Sequence, residues 1–435
     1  MTHLIQRLDA LVWSLPLLIL LTFVGLYLTI VTRGVQFRRF FYAHKLAFSR
    51  SDDTAAGDIS QFEAFMTALA GTIGIGSIAG VATAITLGGV GALVWMWVAA
   101  LIGMATKYGE AILAIVYRKV DEEGSMSGGP MYYIERGLGL KWLAMLFALF
   151  GICASFGIGN VVQSHAIAEA LTTVWETSPL VTGLFLAVGI GAALIGGIRS
   201  IGRIVSYLVP AMALFYLGIG AIAITRNLAA VPAAFTLIFE AAIKGQAAVG
   251  GFTGAGVMLA IQAGISRGIF SSEAGLGSSP IAAAAAKTDI PARQALISMC
   301  SVFLTTGVVC TITGLVIAIS GVQGLPLDSS ALALTAFDRL FPSGGLLVTL
   351  TLIPFGYSTI LSWAYYGERC VEYLLGIRWV RPFRILFTLV VVVGALLPMA
   401  FVWSFSNAMN GLMAYPNLIA LFFLGGVIRR ETKRL

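Results

Sequence analysis

The stretch GISRGIFSSEAGLGSS, Gly264 to Ser279, interrupts an apolar segment, Val249 to Ala286, that is far too long for one straight crossing of a bilayer. A second stretch of the same kind, GTIGIGSIAG from Gly71 to Gly80, interrupts the apolar run from Phe62 to Gly88. Glycine and hydroxyl residues at membrane depth predict unwound backbone, which hydrocarbon tolerates only where protein or a water-filled cavity satisfies the amides and carbonyls. Two readings compete for each break taken alone. Gly76/Gly80 and Gly264/Gly268 both have the GxxxG spacing of close helix packing; the alternative is a substrate path. Their placement favours the path. Counted along the chain, the breaks fall in the second and seventh of eleven apolar segments, so each opens a block of five. A repeat of five spans must return inverted, and paired discontinuous helices at equivalent positions of inverted repeats mark a transporter's binding site.

The eleven segments run approximately over Trp13–Thr32, Phe62–Gly88, Ala92–Tyr117, Trp142–Ile167, Leu180–Gly196, Ser206–Thr225, Val249–Ala286, Leu296–Ile319, Gly345–Leu374, Ile385–Phe401 and Met409–Ile428. With this count the connections alternate sharply in basic content: 21 of the 27 Lys and Arg fall on one side, counting Arg369 near the end of its segment, and 4 on the other, with Lys107 and Arg267 deeper inside spans. The positive-inside rule then predicts a multi-pass protein of the bacterial inner membrane with its N-terminus outside and its C-terminus cytoplasmic. No small-residue cleavage site clearly follows the first span, which is read as retained. The expected fold is an all-α polytopic membrane protein of 11 transmembrane helices. It has a 5+5 inverted repeat, one extra N-terminal helix and two discontinuous helices. Residues 1–60 form the N-terminal span and a cytoplasmic connection, 61–226 the first five-helix repeat and 227–435 the second.

Composition excludes several classes of function. With 58% hydrophobic and 11% charged residues, the chain cannot fold around one aqueous core without exposing apolar surface. The net charge of +7 follows from the one-sided loops and does not call for nucleic acid. Cys153, Cys300, Cys310 and Cys370 lie in apolar stretches without paired spacing, so neither a disulfide frame nor a zinc site is indicated. Three histidines without a metal-ligand spacing, and no convergent acid, base or metal set, argue against an enzyme.

At the breaks the sequence resembles a known family. GTIGIGSIAGVATAITLGGVGALVWMWVAALIGMATKYGEAILAIVYR, GGPMYYIERGLG, GFTGAGVMLAIQAGISRGIFSSEAGLGSSPIAAAAAKT and STILSWAYYGERC are similar, in order, to the alanine or glycine:cation symporters, also called sodium:alanine symporters. The resemblance covers about Phe62 to Arg381. It implies a leucine-transporter-type fold and sodium-coupled symport of a small neutral amino acid into the cell by alternating access. The implied coupling ion is sodium, with no organic cofactor. The family typically reads GTGN where this chain has GIGS, so Ile75 stands for threonine and Ser77 for asparagine; Val90 stands for the proline of GGPGA. In related transporters the asparagine is a sodium ligand, and serine reaches less far.

A zwitterion needs donors for its carboxylate and acceptors for its ammonium. Gly74, Gly76 and Ser77 stand where the second half of span two begins and offer the free amides and positive dipole end of a helix N-terminus; Thr72 precedes them. Unwound carbonyls around Ile269, Phe270 and Ser271, beside Ser272, are expected to accept from the ammonium, with Phe270 covering a small side chain. The resemblance further implies a sodium site at Ser358 and Thr359, completed by carbonyls near Gly71, Gly74 and Phe355. Asn160 and Gln163, one turn apart in span four, read equally as cavity residues or as interhelical hydrogen-bonding groups. Lys107 and Glu110 are expected to neutralise each other. Arg267 and Glu273 flank the break in span seven as a pair or a gate, and His165 reads as an interface residue. Proton coupling through Glu273, or a different substrate such as glutamine, is the alternative.

Overall fold

A computed structural model describes residues 2–49, 55–244, 253–325, 327, 329–397 and 399–435. Over the described residues all eleven apolar segments are mainly helical apart from their breaks, but span six starts at Gly197 instead of Ser206 and span ten ends at Leu396, so that Phe401 falls in span eleven; the first residues of the seventh, from Val249, lie outside the described set. Eight helices are long and apolar enough to cross a membrane, and the pair Val402–Phe423 and Gly425–Thr432, bent by 61°, makes a ninth. The remaining two segments are Pro179–Ile195, only 17 residues long, and Thr253–Ser272, which ends at the second break.

Local chemistry sets the boundaries. Span two starts at a capping box in which Ser60 Oγ accepts from the Glu63 amide at 3.1 Å and Glu63 Oε2 accepts from the Ser60 amide at 2.8 Å. Pro179, Pro280 and Pro291 each stand in the first turn of a helix, where the missing amide costs nothing. Spans six and eleven each carry an interior proline, Pro210 and Pro416, and span nine carries Pro354.

The broken spans sit at the centre. Span two (Gln61–Thr72 and Gly76–Gly88) and span three (Ala92–Val116) are 89% and 83% buried along their most apolar windows, against 33% for spans one, six and ten. The outer helices therefore present their apolar faces to lipid, while two and three are wrapped by protein. Span seven packs along both of them. On the face rich in Lys and Arg, a short hairpin pairing Lys119–Val120 with Met126–Ser127 folds against the end of span nine. There Arg369 reaches Asp121 at 3.0 Å, Glu368 at 3.2 Å and Glu372 at 2.6 Å, and Arg384 reaches Glu368 at 2.7 Å. Beside it, burial pushes the Asp58 carboxyl above its usual range, although the Met126 amide donates to it at 2.7 Å.

Candidate substrate site

The two breaks meet. The first half of span two ends at Thr72 and the second begins at Gly76. Between them Gly74 N–H folds back onto the Thr72 carbonyl and Ser77 N–H onto the Gly74 carbonyl. Among the described residues the amides of Ile75 and Gly76 have no acceptor, so two N–H groups point from the start of a 13-residue helix. Packing decides the two GxxxG motifs differently. A Cβ at Gly264 would lie 2.4 Å from the Ala92 carbonyl oxygen, and one at Gly268 3.1 Å from Ala99 Cβ, so span seven's pair serves close contact with span three. A Cβ at Gly80 would meet nothing within 4 Å, and one at Gly76 would meet only the edge of Phe270, at 3.2 Å.

Span seven is helical through Ser272, and its gap is Glu273–Ser279, later than expected. Glu273, Gly275 and Gly277 all have positive φ, a backbone that costs nothing at the two glycines and is strained at Glu273. Ile269, Phe270 and Ser271 therefore offer last-turn helical carbonyls in place of the unwound ones expected. The Ser272 carbonyl is taken by Lys107 Nζ at 2.9 Å. Ile269 faces spans one and three, and Ser272 Oγ turns back onto the Gly268 carbonyl at 2.9 Å.

A cavity of about 30 Å³ lies at the junction. Gly71, Thr72, Gly74 and Gly76 line it from span two, Phe270, Ser271 and Glu273 from span seven, Ile158 and Gln163 from span four. Thr359 and Trp363 come from span nine and Asn410 from span eleven. Gln163 separates from Asn160 because a π-turn, Gly157–Val161, rotates the helix between them. Asn160 Nδ2 donates to the Phe387 carbonyl of span ten at 2.7 Å, an interhelical role. Gln163 Nε2 donates to the Ile158 carbonyl at 3.0 Å, while its buried Oε1 has no donor. Asn410 Oδ1 is likewise unpartnered. Thr72 and Ser271 hydroxyls meet Thr305 and Thr306 of span eight at 3.2 and 3.0 Å.

Glu273 is held by Trp363 Nε1 at 3.0 Å on one oxygen and Ser278 Oγ at 2.6 Å on the other. It does not pair with Arg267, whose guanidinium lies 5.7 Å from the Phe270 ring centre and faces Asp9 of the helix Thr2–Val12. Nor do Lys107 and Glu110 pair. Glu110 Oε1 instead accepts from the amides of Gly275 and Gly277 at 3.1 and 3.0 Å and from Asn417 Nδ2 at 2.6 Å.

The hydroxyl pair of span nine reaches the first break. Thr359 Oγ1 donates toward the Phe355 carbonyl at 2.9 Å and the Ala70 carbonyl at 3.0 Å; Ser358 Oγ lies 3.0 Å from the Phe355 carbonyl. Gly74 adjoins Thr359, since a Cβ there would lie 2.7 Å from Oγ1. Ser77 Oγ bonds the Thr72 carbonyl at 3.2 Å and stays clear of both clusters. Sequence reasoning missed Trp363, Ser278, Asn410 and the Ala70 carbonyl. Trp363 had a readable signal, since it lies four residues after Thr359 on the same helical face.

Comparison with known proteins agrees with this architecture. The chain is 50% identical to the sodium/alanine symporter AgcS of Methanococcus maripaludis, over 99% of this chain and 96% of that one. It is 35% identical to the probable sodium/glutamine symporter GlnT of Bacillus subtilis, over 98% and 89%. Among solved structures, MhsT in complex with L-phenylalanine superposes with a TM-score of 0.58 at 13% identity, covering 88% of this chain and 99% of that one, which shows a common fold. The sodium:alanine symporter family matches residues 1–435. The chain is a transporter of the sodium:alanine symporter family, with an all-α, multi-pass membrane fold.

Proposed function

We propose that the protein carries alanine or glycine across the membrane together with sodium by alternating access, and that the cavity between the two breaks is the amino-acid site. One observation carries the reading of the site. At the gap of span seven a single lysine, Lys107 of span three, faces two carboxylates, Glu110 beside it on span three and Glu273 in the gap. With both carboxylates ionised, one negative charge is unmatched at a depth where bare charge is expensive. The substrate's ammonium supplies the missing charge, beside Glu273, Gln163 Oε1 and the last-turn carbonyls of Phe270 and Ser271. Its carboxylate takes the Ile75 and Gly76 amides, where the helix dipole favours an anion.

The cavity is small, room for roughly two waters on the scale of about 10–15 Å³ each. A whole zwitterion therefore requires Phe270 and Trp363 to move aside, and alanine or glycine requires less room than glutamine. Sodium takes hard oxygens, and Ser358, Thr359 and the carbonyls of Phe355 and Ala70 form such a set. The matched breaks, and the interior prolines of spans six and eleven, support two repeats over 61–226 and 227–435. The one-sided Lys and Arg support a cytoplasmic C-terminus.

The test is uptake by purified protein in liposomes, with radiolabelled alanine, glycine and glutamine under imposed sodium or proton gradients. Sodium should drive alanine and glycine, and Glu273→Gln should lower alanine affinity at least tenfold while leaving sodium binding measurable. Uptake driven by a proton gradient alone, and lost in Glu273→Gln, would instead make Glu273 the proton carrier.

A further inference from the structure

On the outer surface, spans five (Pro179–Ile195) and ten (Val380–Leu396) pack side by side and leave a groove of about 510 Å³. Its walls are apolar, with Leu194 and Ile195 on one side and Ile385 and Leu389 on the other. Ile195, Ile385 and Leu389 are 83%, 65% and 59% exposed, so the groove opens toward lipid. At the basic face it runs into a second cavity of about 500 Å³, which shares Ile195, Arg381 and Arg384 with it and adds Arg378 and Arg369. The chemistry changes along one continuous channel, from hydrocarbon to guanidinium.

The arginines differ in what already holds them. Arg384 and Arg369 are committed to Glu368 and its neighbouring carboxylates. Arg378 and Arg381 are exposed and make no ion pair among the described residues; Glu123 is the one carboxylate on the cavity wall. Both free cations stand at the start of span ten, where the Val380 amide is taken by the Ile377 carbonyl and Pro382 has none, so the two guanidinium groups carry the attraction for an anion. Trp379, 54% exposed, lies between them in sequence as an aromatic of the membrane interface. Basic pockets between helices at this level suit anionic lipid headgroups.

We propose that this channel binds one anionic phospholipid, its phosphate on Arg378 and Arg381 and an acyl chain along the groove between spans five and ten. The headgroup then sits against Arg384 and Arg369. Arg369 bonds Asp121 and Ser127 of the hairpin Lys119–Ser127 and Arg384 bonds Glu368 beside it, so occupancy is coupled to that ion network.

The experiment uses delipidated full-length protein in detergent, titrated with dioleoyl phosphatidylglycerol or dioleoyl phosphatidylcholine, with bound lipid counted by native mass spectrometry and unfolding temperature followed in parallel. Phosphatidylglycerol should bind at one site and raise the unfolding temperature, and phosphatidylcholine should do neither. Arg378→Gln with Arg381→Gln should weaken binding at least tenfold, and Leu389→Trp, which fills the groove, should do the same without removing charge. Arg136→Gln with Lys141→Gln, in a separate basic cavity on the same face, should change nothing. Equal retention of both lipids, or equal loss in the two arginine and lysine controls, overturns the proposal. Displacement of the lipid by millimolar inorganic phosphate would make it a free-anion site and overturn it too.

Discussion

Lys107 and Glu110, one turn apart on span three, hold the two sides of the gap in span seven and form no ion pair with each other. The ammonium of Lys107 caps the Ser272 carbonyl at the end of one half-helix, and the carboxylate of Glu110 gathers the Gly275 and Gly277 amides beyond it. A cation at a helix C-terminus and an anion on free amides are each the favourable sign. Asn417 of span eleven joins the second cluster and accepts from the Tyr133 hydroxyl, so the gap is braced from three directions.

Glu110→Leu or Lys107→Met should therefore destabilise the protein by about 1–3 kcal/mol for each buried partner left unmet. The measurement is residual monodisperse protein after heating in detergent. Wild-type heat resistance in both variants would remove the bracing role.

Gly74→Ala should abolish sodium-dependent uptake. Its new Cβ would meet Thr359 Oγ1 at 2.7 Å, and that hydroxyl is fixed between two carbonyls. Gly76→Ala, facing the movable edge of Phe270 at 3.2 Å, should keep substantial binding, and Gly76→Leu should lose it by filling the cavity. Scintillation-proximity binding of labelled alanine orders the three variants; an inverted order of the two alanine variants counts against the arrangement.

Ser358→Ala with Thr359→Ala removes both hydroxyls from the oxygen set at Phe355 and Ala70. Concentrative uptake should disappear, although slow exchange of alanine can persist through an intact cavity. Moving one charge through the membrane field is worth roughly 2.3 kcal/mol per 100 mV, about a fiftyfold concentration of a neutral zwitterion. Unchanged sodium dependence in proteoliposomes would place the ion elsewhere.

A reporter fused after Leu435 should be cytoplasmic, and one inserted near Ser178, ahead of span five, should be periplasmic. The expectation rests on the 21 to 4 division of loop Lys and Arg. Finding both reporters on one side of the membrane contradicts the eleven-span orientation.

The sequence alone determined the membrane fold and the presence of breaks in spans two and seven, because each rests on local composition: apolar length, glycine and proline placement, and charge in the loops; the exact bounds moved, span six starting at Gly197 and span ten ending at Leu396. The span-two wall of the candidate cavity at Thr72, Gly74 and Gly76 was legible as well, though not that Ser77 turns away, since a break at Ile73–Ile75 exposes backbone wherever the chain lies. Tertiary structure decided which side chains face the cavity. Asn160 and Gln163 have the spacing of one helical face, yet the π-turn between Gly157 and Val161 sends the first to span ten and leaves the second with a bare oxygen at the cavity. Lys107 and Glu110 have the spacing of a salt bridge, yet distant partners in span seven offered each a better match than its neighbour. Ile269 and Ser272 adjoin Phe270 and Ser271 in sequence, but the helix continues through them and turns them toward span three. Helical phase at a break depends on where the backbone leaves the helix, and that was set by Trp363 of span nine holding Glu273 and Glu110 of span three holding the Gly275 and Gly277 amides.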